Sequence, residues 1–239
     1  MKTFVHSVKD PDLQAMSREV QELRAAARDL LLALLGHNSG KTPRVLGSVA
    51  TMILSRSVEC LESIELLVGF GRDRDAGVLL VSLLELSFDA RYLQGNEARA
   101  ALWLSHAESG RKPWRVSDLI RELHPDKADR DAVEENYRRF SMIKHGNPVA
   151  AQSGFPVAIR GDKLFLPTGD QPGVLMSYLF AGSLTCTQIA DASVVCLDRP
   201  APAVREALNR VKSHNGVVGR QMEASLIALV QAGRMRPEA

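Results

Sequence analysis

The sequence predicts an all-α protein, a helical bundle interrupted by one short irregular insertion that contains a β-hairpin. Apolar residues recur mostly at spacings of three and four, which is the period of an amphipathic helix. Signals that start and stop helices are frequent along the 239 residues. Only 5% of the residues are aromatic, whereas a β-sandwich is rich in such side chains. These observations favour helices packed mainly by Leu, Val and Ala.

Four helices are predicted in the first half of the chain, and residues that favour helix ends bound them. Thr42-Pro43 supplies an N-cap and a first-turn proline for the second helix. Asp73 or Asp75 caps the third, and Asn96 caps the fourth. The predicted ranges are about 11–35, 43–69, 76–95 and 97–109.

The second half contains a short helical turn, three helices and the insertion. The helix from about Lys127 to His145 closes at Gly146, with Pro148 just beyond it. Residues 148–172 break the helical pattern, and two short apolar runs around residues 160–163 predict a small hairpin. The other predicted segments are the turn at 117–123 and helices at about 173–197 and 203–232, with a break at 214–216 left open.

The whole chain is predicted to form one domain. Its parts are an N-terminal helix (1–40), a bundle core (41–147), the insertion (148–172) and C-terminal helices that pack on the same bundle (173–239). The chain has 30 Lys plus Arg and 28 Asp plus Glu, a net charge of +2. This balance gives no general attraction to nucleic acid or to acidic membranes. We therefore expect no DNA partner and no membrane association.

The compartment is predicted from the N-terminus and the cysteines. The first residues lack the apolar core of a signal peptide, and no apolar stretch is long enough to span a bilayer. Cys60, Cys186 and Cys196 are widely spaced and stand in apolar contexts, which is typical of reduced core thiols and not of a zinc site. We expect a cytoplasmic protein with no metal and no cofactor.

Three charged residues fall where the pattern predicts the interior. Glu85 and Asp89 share one face of the third helix, which is apolar almost all round. Arg56 falls within the apolar stripe of the second helix. A buried arginine is costly unless it is paired, so Glu85 or Asp89 is its expected partner. This group is either a structural ion pair or part of a binding or catalytic site. The residues assigned to the stripe are Val49, Met52, Ile53, Cys60, Ile64 and Leu67.

The helix that ends near His145 carries a second candidate group. Val133, Tyr137 and Phe140 form its inward stripe together with Ile143. A cationic arginine and a titratable histidine on one flank of that stripe could bind a phosphodiester and transfer its proton. The alternative is a surface Glu134–Arg138 pair with the histidine at the helix end. The side chains on this flank are Glu134, Arg138, Ser141 and His145.

Three segments carry a family resemblance: RSVECLESIELLVG (56–69), DAGVLLVSLLELSFDARYL (75–93) and YRRFSMIKHGNP (137–148). They resemble a bacterial all-helical family of unknown function that has an A-x-x-L-x-R-S-L-x-E helix and later an S-x-x-x-H-x-x-P helix end. Where that family often has Arg before Ser, this chain has Val81. The resemblance covers roughly residues 45–150, and the family is similar to the HEPN superfamily of small helical bundles.

The resemblance implies specific site residues. Many HEPN proteins are metal-independent ribonucleases of toxin–antitoxin or phage-defence systems, with an active site often built across a homodimer. Their hallmark is an Arg, four to six residues, and a His near a helix end. Arg138 or Arg139 with His145 matches that spacing, and Ser141 and Asn147 would assist by hydrogen bonding. Other HEPN-like domains are non-catalytic partner or nucleotide-binding modules.

The resemblance and the residues lead to three hypotheses, which leave open whether the protein is an enzyme. The leading one is a non-catalytic interaction or regulatory module of a bacterial defence or stress system that docks a protein partner, in a homodimer. The alternative is a HEPN-like endoribonuclease that uses Arg138 and His145. Its RNA would be steered locally by residues 199–239, which hold seven Lys or Arg against three Glu. The third is a small-ligand binder whose pocket is lined by Arg56, Glu85 and Asp89.

Overall fold

The structure is a computed structural model that describes residues 10–38, 44–144, 158–160, 163–165, 172–197 and 199–231. It confirms the all-α class. Within the described ranges the helices are α1 (Pro11–Asn38), α2 (Val45–Gly69), α3 (Asp73–Leu93), α4 (Glu97–Ser109), α5 (Val116–Leu123), α6 (Lys127–Lys144), α7 (Pro172–Val195) and α8 (Pro202–Gln231), with strands β1 (Ala158–Arg160) and β2 (Lys163–Phe165).

The insertion contains the predicted hairpin. The strands β1 and β2 are antiparallel, and Ala158 pairs with Phe165 while Arg160 pairs with Lys163. The two paired segments lie on either side of the position at which the sequence predicts the hairpin turn. The remaining residues of the predicted insertion, apart from Pro172 at the start of α7, lie outside the described ranges.

The large apolar core is built by α1, α2, α3, α7 and α8. The helix α7 contacts all of the other four. Its buried residues are spread around most of the helix and include Leu179, Ile189 and Ala190, which explains its place among four neighbours. The break at residues 214–216 that the sequence left open is not observed, because α8 is continuous from Pro202 to Gln231.

A smaller apolar cluster lies on the other side of α3. Phe88, Leu119 and Ile120 are buried at its centre, and Trp114 and Tyr137 pack against them. The helix α3 contacts α2 and α7 as well as α4, α5 and α6. It therefore joins the large core to the smaller one, which explains why few of its positions face solvent.

Two further expectations concern the core thiols and the bilayer. Cys60, Cys186 and Cys196 are free and buried, as predicted for core thiols. None of the helices in the described part of the chain combines the length and the apolar character needed to cross a membrane.

Candidate functional site

Arg56 does not lie inside the bundle, so the expected ion pair with Glu85 or Asp89 is wrong. Its side chain is 63% exposed, and Nη1 donates a 2.9 Å hydrogen bond to Oε2 of Glu59, three residues further along α2. Met52 and Glu59 are also exposed, and the 52–56–59 spacing places all three on the solvent side of the helix. The prediction went wrong because it assigned Met52 to the apolar stripe. With Met52 included, the stripe extends to the solvent side of the helix, where Arg56 lies.

Glu85 and Asp89 do lie in the interior, and Asp89 is the more deeply buried, with 2% of its side chain exposed. The indole Nε1 of Trp114 donates to Asp89 Oδ1 at 2.9 Å, and Nε1 of Trp103 donates to Oδ2 at 3.2 Å. Trp103 lies on α4. Trp114 follows Gly110, whose φ of 64° ends α4 in the left-handed region. The chain after Gly110 thus brings Trp114 back against α3.

Among the described contacts, the cation that faces these carboxylates is Lys112, in the loop between α4 and α5. Its Nζ lies 3.4 Å from Asp89 Oδ2 and 3.6 Å from Glu85 Oε2. The Lys112 side chain is 31% exposed, and that of Glu85 is 19% exposed. The two carboxylates of α3 are therefore bridged by one ammonium group at the edge of the interior.

Tyr137 completes this group from α6. Its hydroxyl donates to Glu85 Oε1 at 2.9 Å, and its ring meets Phe88 edge-on. Burial, followed by the charge and hydrogen bond of Glu85, raises the pKa of Tyr137, while a hydrogen bond with Ser141 acts in the opposite direction. The phenol thus stays a hydrogen-bond donor. We name the six residues Glu85, Asp89, Trp103, Lys112, Trp114 and Tyr137 the carboxylate–aromatic cluster.

Tyr92 and Arg99 pack against the carboxylate–aromatic cluster next to Trp114. The rings of Tyr92 and Trp114 meet edge-on, with centroids 5.0 Å apart. The guanidinium of Arg99 lies 3.8 Å from the centroid of the Tyr92 ring, and it also binds Glu122. This arrangement fixes Trp114, and with it one of the two indole donors to Asp89.

The candidate residues of α6 are only partly brought together. Arg138 is 63% exposed and makes a bidentate pair with Glu135, at 2.8 Å for both contacts, in place of the expected Glu134. This pairing raises the pKa of Arg138. Ser141 lies beside Tyr137 at the carboxylate–aromatic cluster. His145, Asn147 and the side chain of Arg139 lie outside what the structure describes, so their predicted roles stay predictions.

A second polar group, which the sequence did not indicate, lies where α5 meets α6. His124 Nδ1 is 2.5 Å from Asp129 Oδ2, and its Nε2 is 3.2 Å from Nη1 of Arg91 on α3. The Arg130 guanidinium contacts the backbone carbonyl of His124 at 3.5 Å. The contact between His124 and Asp129 joins residues five positions apart at the start of α6, so it could be predicted from the local sequence. The contact with Arg91 spans 33 positions and could not.

The chemistry of the two groups differs. Two carboxylates suit a positively charged group, whereas Arg91, His124 and Arg130 present donors to an anion. No group of three or more His, Cys, Asp or Glu that could hold a metal ion is found in the described part of the chain.

Comparisons with protein-family models, with curated proteins and with solved structures give no match.

Proposed function

We propose that the protein is a non-catalytic binding module, and that its carboxylate–aromatic cluster receives a lysine side chain of a protein partner. The observation that carries this proposal is the position of Lys112, whose ammonium group bridges Glu85 and Asp89 at the edge of the interior. The cluster thus already accommodates a primary ammonium, supplied by a loop of the same chain. A lysine of a partner has the same chemistry and would replace it.

The contacts of Lys112 favour such replacement. Its distances of 3.4 and 3.6 Å to the two carboxylates exceed the roughly 2.7–2.9 Å of a strong charge-assisted hydrogen bond. Its side chain is also 31% exposed, so the ammonium lies at the edge of the cluster, where a lysine of a partner could reach the same carboxylates. Asp89 keeps its two indole donors when Lys112 leaves, which means that the receiving carboxylate stays oriented.

The remaining contacts favour binding over catalysis. Both oxygens of Asp89 accept hydrogen bonds from indoles, which hold this carboxylate in one orientation, as a site that receives a cation requires. The guanidinium of Arg138 is engaged by both oxygens of Glu135, which compete with phosphate for the same donors. A module that binds a charged side chain does not require Asp89 to act as a base or Arg138 to bind phosphate.

Tryptophan fluorescence gives a direct test, because the two tryptophans of the chain both lie in the cluster. The probe is Nα-acetyl-lysine amide, in which the ε-ammonium group of the side chain is free. It is titrated into wild type and into Lys112→Ala. We expect the variant to bind with a Kd about tenfold lower, as would follow if Lys112 occupies the site about nine-tenths of the time. Acetyl-glutamine amide should leave the fluorescence of both proteins unchanged.

Two further variants separate this site from general charge effects. Arg111→Ala removes the neighbouring exposed cation of the same loop and should bind the probe as wild type does. Glu85→Gln, made in the Lys112→Ala chain, keeps an acceptor for Tyr137 and removes one carboxylate, so the gain in affinity should be lost. Equal affinity of wild type and Lys112→Ala would contradict the proposal.

The ribonuclease alternative is distinguished in cells. A binding module predicts that wild type and His145→Ala have the same effect on bacterial growth when expressed. Slower growth with wild type, relieved by His145→Ala, would instead favour an endoribonuclease of a defence or stress system. RNA cleavage by the purified wild type and not by the variant would favour the same alternative.

A further inference from the structure

We propose that Arg91, His124 and Arg130 form a second binding site, which takes a phosphate group. This site is separate from the carboxylate–aromatic cluster. Arg91 follows Asp89 by two positions on α3, so the two side chains leave the helix roughly 200° apart. The inference therefore does not depend on the function proposed above.

Arg91 is a half-buried cation with few partners. Among the described residues, its one hydrogen bond is the 3.2 Å contact with His124 Nε2, and no carboxylate lies within ion-pair distance of it. Burial lowers the pKa of Arg91, and the charge of Asp129 partly offsets that effect. A guanidinium carries five N–H donors, so most of the donors of Arg91 are left for a ligand.

His124 fixes the position of Arg91 and adds a second contact. Its Nδ1 is 2.5 Å from Oδ2 of Asp129. Because Arg91 can only donate, Nε2 of His124 is the acceptor of this contact, and Nδ1 is left to face Asp129. Asp129, the one acid that contacts this group within the described ranges, is thereby occupied by the imidazole.

Arg130 brings a second guanidinium to the same histidine. Its described contacts are long hydrogen bonds to backbone carbonyls, at 3.5 Å to His124 and 3.4 Å to Pro125. Two arginines and one carboxylate leave a local excess of positive charge. Arginine forks match the oxygens of phosphate bidentately, so a phosphate group supplies the acceptors that Arg91 and Arg130 lack.

Thermal unfolding tests this site with inorganic phosphate and acetyl-phosphoserine amide as probes, each against chloride at the same ionic strength. A probe at about ten times its Kd should raise the midpoint of wild type by about 4 °C. Arg91→Met should show none of this rise. At equal concentrations of the two probes, a larger rise with acetyl-phosphoserine amide assigns the site to a phosphorylated peptide, and a larger rise with inorganic phosphate assigns it to the free ion.

Two other variants keep the test decisive. Arg130→Met removes only long contacts to carbonyls, so it should fold as wild type does and lose at least half of the rise, even where Arg91→Met does not fold. Arg121→Met removes an exposed arginine of α5 that pairs with Asp118 and should retain the full rise. Equal rises in all four proteins would identify a general salt effect and overturn the proposal.

Discussion

Asp89 is held by three donors from segments that meet only in the folded chain. Two are indole N–H groups, from Trp103 and Trp114, and the third is the ammonium of Lys112. Asp89→Ala would leave the two half-buried indole N–H groups without their acceptor. We expect the free energy of unfolding to fall by about 2–3 kcal/mol, measured by urea denaturation followed by circular dichroism.

Arg56 provides the matched control for a charged side chain that is not buried. Its pair with Glu59 is exposed on both sides, at 63% and 59%, and such pairs contribute little because water screens them. Arg56→Leu should change the free energy of unfolding by no more than about 0.5 kcal/mol. A loss as large as that of Asp89→Ala would mean that Arg56 is buried after all.

The sequence indicates the acidic half of the carboxylate–aromatic cluster and misses its cation. Glu85 and Asp89 can be identified as interior residues because a helix has a period, and polar residues that interrupt an apolar helix stand out. Lys112 lies in a loop, where spacing carries no information about direction. Its contact with α3 depends on how α4 ends and how Trp114 packs, which is a property of the tertiary structure.

At the scale of single helices, the N-terminus of α4 is specified locally. The side chain of Asn96 accepts a 3.0 Å hydrogen bond from the backbone N–H of Arg99, and the helix begins at Glu97 as predicted. Asn96→Ala should lower the free energy of unfolding by about 1 kcal/mol, and Asn96→Gly by only a few tenths. Equal losses in urea denaturation would show that the Asn96 side chain does not cap α4.

The start of α2 shows why other helix ends are harder to predict. Arg44 precedes this helix and makes no side-chain cap. The backbone N–H of Leu46 instead donates to Glu97 Oε1 at 3.3 Å, so a residue of α4 satisfies the end of α2. Helix bounds could be predicted closely where the cap is adjacent in sequence. This cap spans 51 positions and has no local pattern.

At the scale of the whole molecule, α3 separates two kinds of packing. The large core on one side is mainly aliphatic, whereas the smaller cluster on the other side is rich in aromatic rings, namely Phe88, Tyr92, Trp114 and Tyr137. The low aromatic content predicts the class correctly, because it describes the larger core. It could not predict that both tryptophans and Tyr137 donate hydrogen bonds to Glu85 and Asp89.

The two cores share one response to alkaline conditions. Burial raises the pKa of Tyr178 to about 12 and of Cys186 to about 11, and it also raises the pKa of Tyr137. The ordinary values are 10.0 for tyrosine and 9.0 for cysteine. As the pH rises above 9, the unfolded chain releases these protons before the folded chain does. The folded state is therefore destabilised progressively from pH 9 upward.

Lysines also titrate at high pH and contribute to the loss of stability. The variant Tyr178→Phe therefore serves to isolate the contribution of the Tyr178 hydroxyl. Below about pH 9 the tyrosine is protonated in both states, so its titration adds no pH dependence. Between pH 10 and 12 the raised pKa makes wild type lose about 1.4 kcal/mol per pH unit through Tyr178. The variant should lack this part of the slope when urea denaturation is compared from pH 8 to pH 11. Parallel slopes in the two proteins would show that the Tyr178 hydroxyl is not desolvated by folding.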